Sequence, residues 1–97
     1  MARSDVYRIA DTYVIDCQAD LLRDLATRLV VPPLTIEEAP KPAGPLNPIF
    51  EIDGRRHVMA TQFAATVEVR ELSGKVTSLS AHDSEIGNAL DLLLNGV

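Results

Sequence analysis

The sequence has no tryptophan, one cysteine, and only two tyrosines and two phenylalanines. With so few rings, the core must be built mainly from aliphatic side chains. With Cys17 alone, an internal disulfide is excluded. Basic residues are scarce too: nine Lys and Arg against fourteen Asp and Glu leave a net charge of −5. They are scattered, and Arg55-Arg56 is the tightest group. None follows Lys75, whereas Asp83, Glu85 and Asp91 do. This balance argues against a nucleic-acid backbone as the main partner. At the C-terminal end it favours a basic partner surface. No apolar run approaches the roughly 20 residues of a membrane span, so no membrane association is expected. "MARSDVYRIA" lacks the apolar stretch of a signal peptide. Together with the lone cysteine, that predicts a cytoplasmic protein.

What is present is globular. Hydrophobic residues make up 46% and charged residues 24%, too apolar for disorder. Residues 1–97 fit one small domain. A chain of this size often gains stability by pairing with a second copy.

Strand patterns dominate the first eighty residues. In "YVIDCQ", Tyr13, Ile15 and Cys17 share one face, and "DVYRI" is its expected partner across "ADT". "RLVVPP" is β-branched and should stop at Pro32. "ADLLRDLAT" is open between a helical turn and an ordered loop. "PKPAGPLNP" excludes helix and central strand, and predicts a stiff surface loop. "PIFEI" and "RRHVMA" flank Asp53-Gly54, a type I′ hairpin dipeptide. "TVEVREL" alternates, with Val67 and Val69 expected inward, and Ser73-Gly74 turns the chain into "KVTSL". Six or seven short strands predict a small barrel or sandwich.

The period then changes. "HDSEIGNALDLLLNGV" predicts a helix, with Asp83 and Ser84 as N-cap candidates. At 100° per residue, Ile86, Ala89, Leu90, Leu93, Leu94 and Val97 share an apolar face. That face is expected to dock on the sheet or line a dimer seam. Asn88, Asp91 and Asn95 form an outward stripe flanked by Leu92, which fits either a solvated face or a contact surface.

Catalytic motifs are sparse. His57 and His82 lack metal-ligand spacing, so no metal is expected. There is no glycine-rich phosphate loop and no serine elbow. Cys17 lies in a strand pattern and is expected to be buried and inert. Asp16 and Asp20 look like turn and edge polars. Arg55 and Arg56 beside His57 are residue types for acid–base hydrolysis of RNA, although a solvated hairpin arm is the plainer reading.

Several segments, in this order and spacing, carry a family resemblance. "IDCQADLL" is similar to a V-D-x-Q-x-D-[IL]-[IL] segment and "RLVVP" to R-x-V-I-P. "NPIFEIDGRRHVMATQFA" is similar to a P-V-V-x-I hairpin followed by M-x-T. "LSAHDSEIGNALDLLLNGV" is similar to a closing L-S…I-x-N-A-I-x-L…G-I helix. Over nearly its whole length the chain resembles the CcdB-type toxins, the DNA gyrase poisons of toxin–antitoxin pairs. The resemblance implies a mostly β fold with a C-terminal α-helix, an SH3-like small barrel of the CcdB/MazF type, assembled as a two-fold dimer.

It also implies a non-enzymatic protein without cofactors. Such a toxin binds the DNA gyrase A subunit and traps the gyrase–DNA cleavage complex. A cognate antitoxin neutralises it and helps repress the operon, and direct nucleic-acid binding is not expected without that antitoxin. Carried onto this chain, the gyrase-binding positions are Asn88, Asp91, Leu92, Asn95, Gly96 and Val97. Pro42 and Pro45 in the proline loop, with Ile52 and His57 on the hairpin, are the expected antitoxin contacts. Two positions depart from the family pattern: Asp91 replaces a neutral asparagine and Asn95 a tryptophan. Losing an aromatic anchor that stacks on an arginine removes on the order of 1–2 kcal/mol, so weakened poisoning of a standard gyrase is expected. The alternatives are an endoribonuclease toxin of the same fold and a non-toxic antitoxin-binding regulatory homologue.

Overall fold

The computed structural model describes residues 2–96. The chain forms β1 (Asp5–Ile9), β2 (Thr12–Asp16), β3 (Thr27–Val31), β4 (Pro33–Thr35), β5 (Ile49–Ile52), β6 (Arg55–Met59), β7 (Ala65–Glu68), β8 (Lys75–Ser78) and α1 (Asp83–Asn95). One antiparallel sheet has the order β7-β3-β2-β1-β8 and the other β4-β6-β5. The architecture is the expected mostly β fold with a C-terminal helix. Pro32 sits between β3 and β4, where the chain leaves the first sheet for the second. The strand expected to stop there does so, and a short one follows.

The two sheets and the helix share one core. Val6 pairs with Ile15, and Ile15 with Val31, placing three buried β-branched side chains abreast across β1, β2 and β3. Phe50, Ile52 and Met59 close this layer from the second sheet, and Ile86 and Ala89 dock the helix on it. Each of the larger of these side chains contributes about 1.5–3 kcal/mol on burial, so the scarcity of rings is offset by aliphatic packing. The hairpin between β5 and β6 has the expected form, with positive φ at both Asp53 (54°) and Gly54 (79°).

Two local expectations are corrected and one open segment is settled. β7 ends at Glu68, and Val69–Glu71 tightens into a 3₁₀ turn. There the Glu68 and Glu71 side chains reciprocally cap each other's backbone N–H, so Val69 leaves the strand alternation. The segment left open between a helical turn and a loop holds a single 3₁₀ turn at Asp20–Leu22, with Leu21, Leu22 and Leu25 exposed around it. Asp83 and Ser84 lie inside α1, and His82 is the N-cap with no side-chain bond. Asp83 instead accepts from Ser4 Oγ at 2.6 Å and pairs with Arg3, tying the N-terminal segment to the helix start.

The largest correction concerns Asp16. It is fully buried, as is Arg28, and the two form an ion pair between β2 and β3. Asp16 Oδ2 accepts from Arg28 Nε (3.2 Å) and Nη2, and Oδ1 accepts the Gln18 N–H at 3.0 Å. Gln18 then clamps the following loop, donating to Leu22 O and Thr27 O and accepting from Leu29 N–H. The "D-x-Q" spacing is therefore structural, folding the loop between β2 and β3. No helix among the described residues is long and apolar enough to cross a membrane.

Two outcomes follow. Asp16→Ala leaves the Arg28 guanidinium buried without a counter-charge, which costs about 3–5 kcal/mol. Urea unfolding should show a lowered midpoint at unchanged slope, while the double replacement Asp16→Leu with Arg28→Met should recover most of the loss. Cys17 is buried, and burial first, then the Asp16 charge, pushes its thiol up to about 12 from 9.0. A raised folded-state value favours the protonated thiol, so this contribution is present below pH 9.0 and is lost as the pH climbs toward about 12. Native protein at pH 8 should therefore react with Ellman's reagent only as fast as it unfolds.

Candidate functional site

The terminal helix places the expected residues unevenly. Ile86 and Ala89 are fully buried and Leu90 is half-buried, as an inward face requires. Leu93 and Leu94 are not: they are 40% and 73% exposed. The helix docks through its first half, and no residue of its last turn is buried. In a single chain these two leucines are therefore surface, not core. Asn88, Asp91 and Asn95 are exposed, while Leu92, expected outward, is half-buried. Gly96 adopts the left-handed conformation (φ 72°) and donates its N–H to Leu92 O at 3.0 Å, stopping the helix. Val97 lies outside the described residues.

The residues expected to meet an antitoxin fall in different places. Pro42 and Pro45 are exposed in the loop before β5. Gly44, Pro45 and Pro48 face Glu85 and Asn88 of α1 across a groove of about 280 Å³. This groove brings Pro45 beside Asn88, two residues assigned to different partners by resemblance. Ile52 is 1% exposed and belongs to the core, because its place in the β5 alternation points it inward, so it has no surface to offer. His57 is 5% exposed and lines a different cavity.

That second cavity is a polar cleft of about 210 Å³ where the two sheets meet. Strand register builds it. β1 and β2 pair Arg8 with Tyr13, and the Arg8 guanidinium lies over the Tyr13 ring at 5.1 Å. β4 and β6 pair Thr35 with His57. The β5–β6 hairpin adds Arg55, and Asp53 accepts the Tyr13 hydroxyl at 3.3 Å. The Tyr13 and His57 rings stand edge-on, 6.0 Å apart. His57 Nδ1 lies 2.9 Å from Arg55 O. A carbonyl only accepts, so Nδ1 carries the proton and Nε2 is left as the basic nitrogen of the neutral ring. Glu38 accepts from Thr35 Oγ1 at 2.8 Å and from Thr35 N–H at 3.3 Å. These bonds, then the Arg55 and His57 charges, hold its carboxyl below the usual value.

This arrangement gathers groups that bind a phosphate (two guanidiniums) and move a proton (an imidazole) around a tyrosine ring that packs against both. The sequence showed Arg55, Arg56 and His57 side by side. The structure keeps Arg55 and His57 together, while Arg56 is exposed opposite Glu51. Arg8, Tyr13, Thr35 and Glu38 were not singled out, because only cross-strand register brings them to the hairpin. Among the described residues, no group of three His, Cys, Asp or Glu side chains could hold a metal ion.

Comparison with known proteins gives a family and a fold. A mycobacterial endoribonuclease solved in complex with its cognate antitoxin superposes with a TM-score of 0.79 at 17% identity, covering 97% of this chain and 94% of that one. A Mycobacterium tuberculosis toxin, MazF-mt6, gives 0.72 at 15% identity, covering 92% and 93%. A third structure, described as an Mtb toxin, gives 0.70 at 19% identity, covering 87% and 98%. No curated protein sequence matches the chain. The expectation of a protein that is not an enzyme is overturned by these neighbours, since the fold it shares is one in which endoribonucleases are built. The family model described as CcdB protein matches residues 3–96, and so the chain belongs to the CcdB family of toxin–antitoxin toxins.

Proposed function

We propose that this protein acts as an endoribonuclease, the toxin of a pair whose antitoxin neutralises it, with the cleft between the sheets as its working site. One observation carries the reading. In a chain of net charge −5, Arg8 and Arg55 converge with His57 in a single cleft. Guanidiniums match phosphate geometry, and the Tyr13 ring packs against both Arg8 and His57, which orients them. The fold of the endoribonuclease neighbours supports it. The antitoxin contact is assigned to the groove between Pro45 and Asn88. Its rim carries Glu85, and Asp83 and Asp91 lie on the same helix, so it suits a basic segment.

A second reading keeps the gyrase A subunit as target, favoured by the exposed stripe of Asn88, Asp91 and Asn95 running to Gly96. Asn95 lacks the ring that would anchor it. The exposure of Leu93 and Leu94 supports a homodimer that covers the last turn of α1.

Purified protein incubated with single-stranded RNA of mixed sequence should yield discrete fragments, and added antitoxin should stop their formation. Intact RNA, with cleaved plasmid accumulating in a parallel gyrase reaction, would favour the second reading. By light scattering at micromolar concentration the protein should have twice the chain mass. Leu94→Glu should halve that mass with little change in the fold of each chain.

A further inference from the structure

Resting on the endoribonuclease reading, we infer that His57 is the general base of RNA cleavage, with Arg8 and Arg55 as the groups that hold the scissile phosphate. Other candidates in the molecule are committed elsewhere. Arg28 and Thr61 are fully buried, and Arg28 is paired with Asp16. Cys17 is buried with its thiol held protonated. His82 Nδ1 is bonded to Glu85 Oε1 at 2.9 Å. Tyr13 is bonded to Asp53 through its hydroxyl, so it offers its ring and not a proton.

His57 combines three features that a base requires. Its tautomer is fixed by Arg55 O, which leaves Nε2 able to accept. Its ring is held in place by Tyr13 and by the pairing of β6 with β4. It lines a cleft that also holds two guanidiniums, where a phosphate would settle.

The step balances without a co-reactant. Nε2 takes the proton of a ribose 2′-hydroxyl, and the 2′-oxygen forms a bond to the adjacent phosphorus. The bond from phosphorus to the 5′-oxygen breaks, and that oxygen leaves with its electron pair and takes the proton back from the imidazolium through water. The products are a 2′,3′-cyclic phosphate and a free 5′-hydroxyl. Arg8 and Arg55 balance the charge that builds on the phosphoryl oxygens, and Glu38 faces the imidazolium while it carries the proton.

The test uses a fluorescent RNA oligonucleotide and the same oligonucleotide with a 2′-deoxynucleotide at the cut site. Wild-type protein should release a 2′,3′-cyclic phosphate end from the first and leave the second uncut. His57→Gln should lose about 10²–10⁴ of the cleavage rate while binding the RNA with unchanged affinity. Arg8→Gln should weaken binding itself. Failure of wild-type protein to cut any RNA would take down the endoribonuclease reading. Cleavage by wild type with His57→Gln equally active would overturn the assignment of His57 alone. Should His57→Gln not fold, the deoxy substrate still decides, since its cleavage at the normal rate excludes attack by the 2′-oxygen.

Discussion

The structure hangs on one buried ion pair, Asp16 with Arg28. It lies between β2 and β3, two of the three inner strands of the larger sheet, and neither side chain reaches solvent. Burying two charges is expensive, and their attraction repays the cost only when the remaining polar atoms are also satisfied. Here they nearly are: Gln18 N–H completes the carboxylate, and Arg28 Nη1 is the one guanidinium nitrogen left without a partner. Any slip of β2 against β3 would part the two charges, so the pair favours the observed register even if it adds little net stability. The exposed pair of Arg70 with Glu68 has no such leverage, because solvent screens it.

The cleft depends on two further pairings. β1 pairs with β2 across the turn at Ala10-Asp11, and that register sets Arg8 opposite Tyr13. The second sheet brings His57 against Thr35 by its own pairing. The cleft forms where the end of one hairpin meets the other sheet, and its side chains come from four strands and two turns. Asp53-Gly54, the helix period and the family segments were legible because each is a local pattern. The burial of Asp16 was not, since an aspartate at a strand end ordinarily faces water. Arg8, Tyr13, Thr35 and Glu38 were not legible as a group, because their proximity depends on two registers at once. Val69 misled through clean alternation: the pattern continued past the point where Glu68 and Glu71 capped a turn.

The terminal helix shows a different limit. Periodicity correctly grouped Ile86, Ala89 and Leu90, but it cannot say how far along a helix the docking surface extends. The core ends before Leu93, and the same apolar stripe that anchors the helix becomes surface over its last turn. The two faces of the molecule thus differ in chemistry. The end of α1 is apolar and acidic, while the cleft is rich in guanidinium.

An acidic chain is a poor candidate for a polyanion only if its whole charge is felt where the polyanion binds. The radius of gyration is 12.4 Å, whereas charges more than about 8 Å apart are largely screened at physiological salt. Most of the fourteen acidic side chains are therefore weakly coupled to a phosphate in the cleft. On the endoribonuclease reading, what a phosphate in the cleft would meet is Arg8, Arg55 and His57, opposed by Asp11 and by Glu38. Glu38 is already committed to Thr35. Net charge, the sequence feature that argued most directly against RNA, governs steering from afar. It has little say over a single phosphate in a cleft whose local charges are set by strand register.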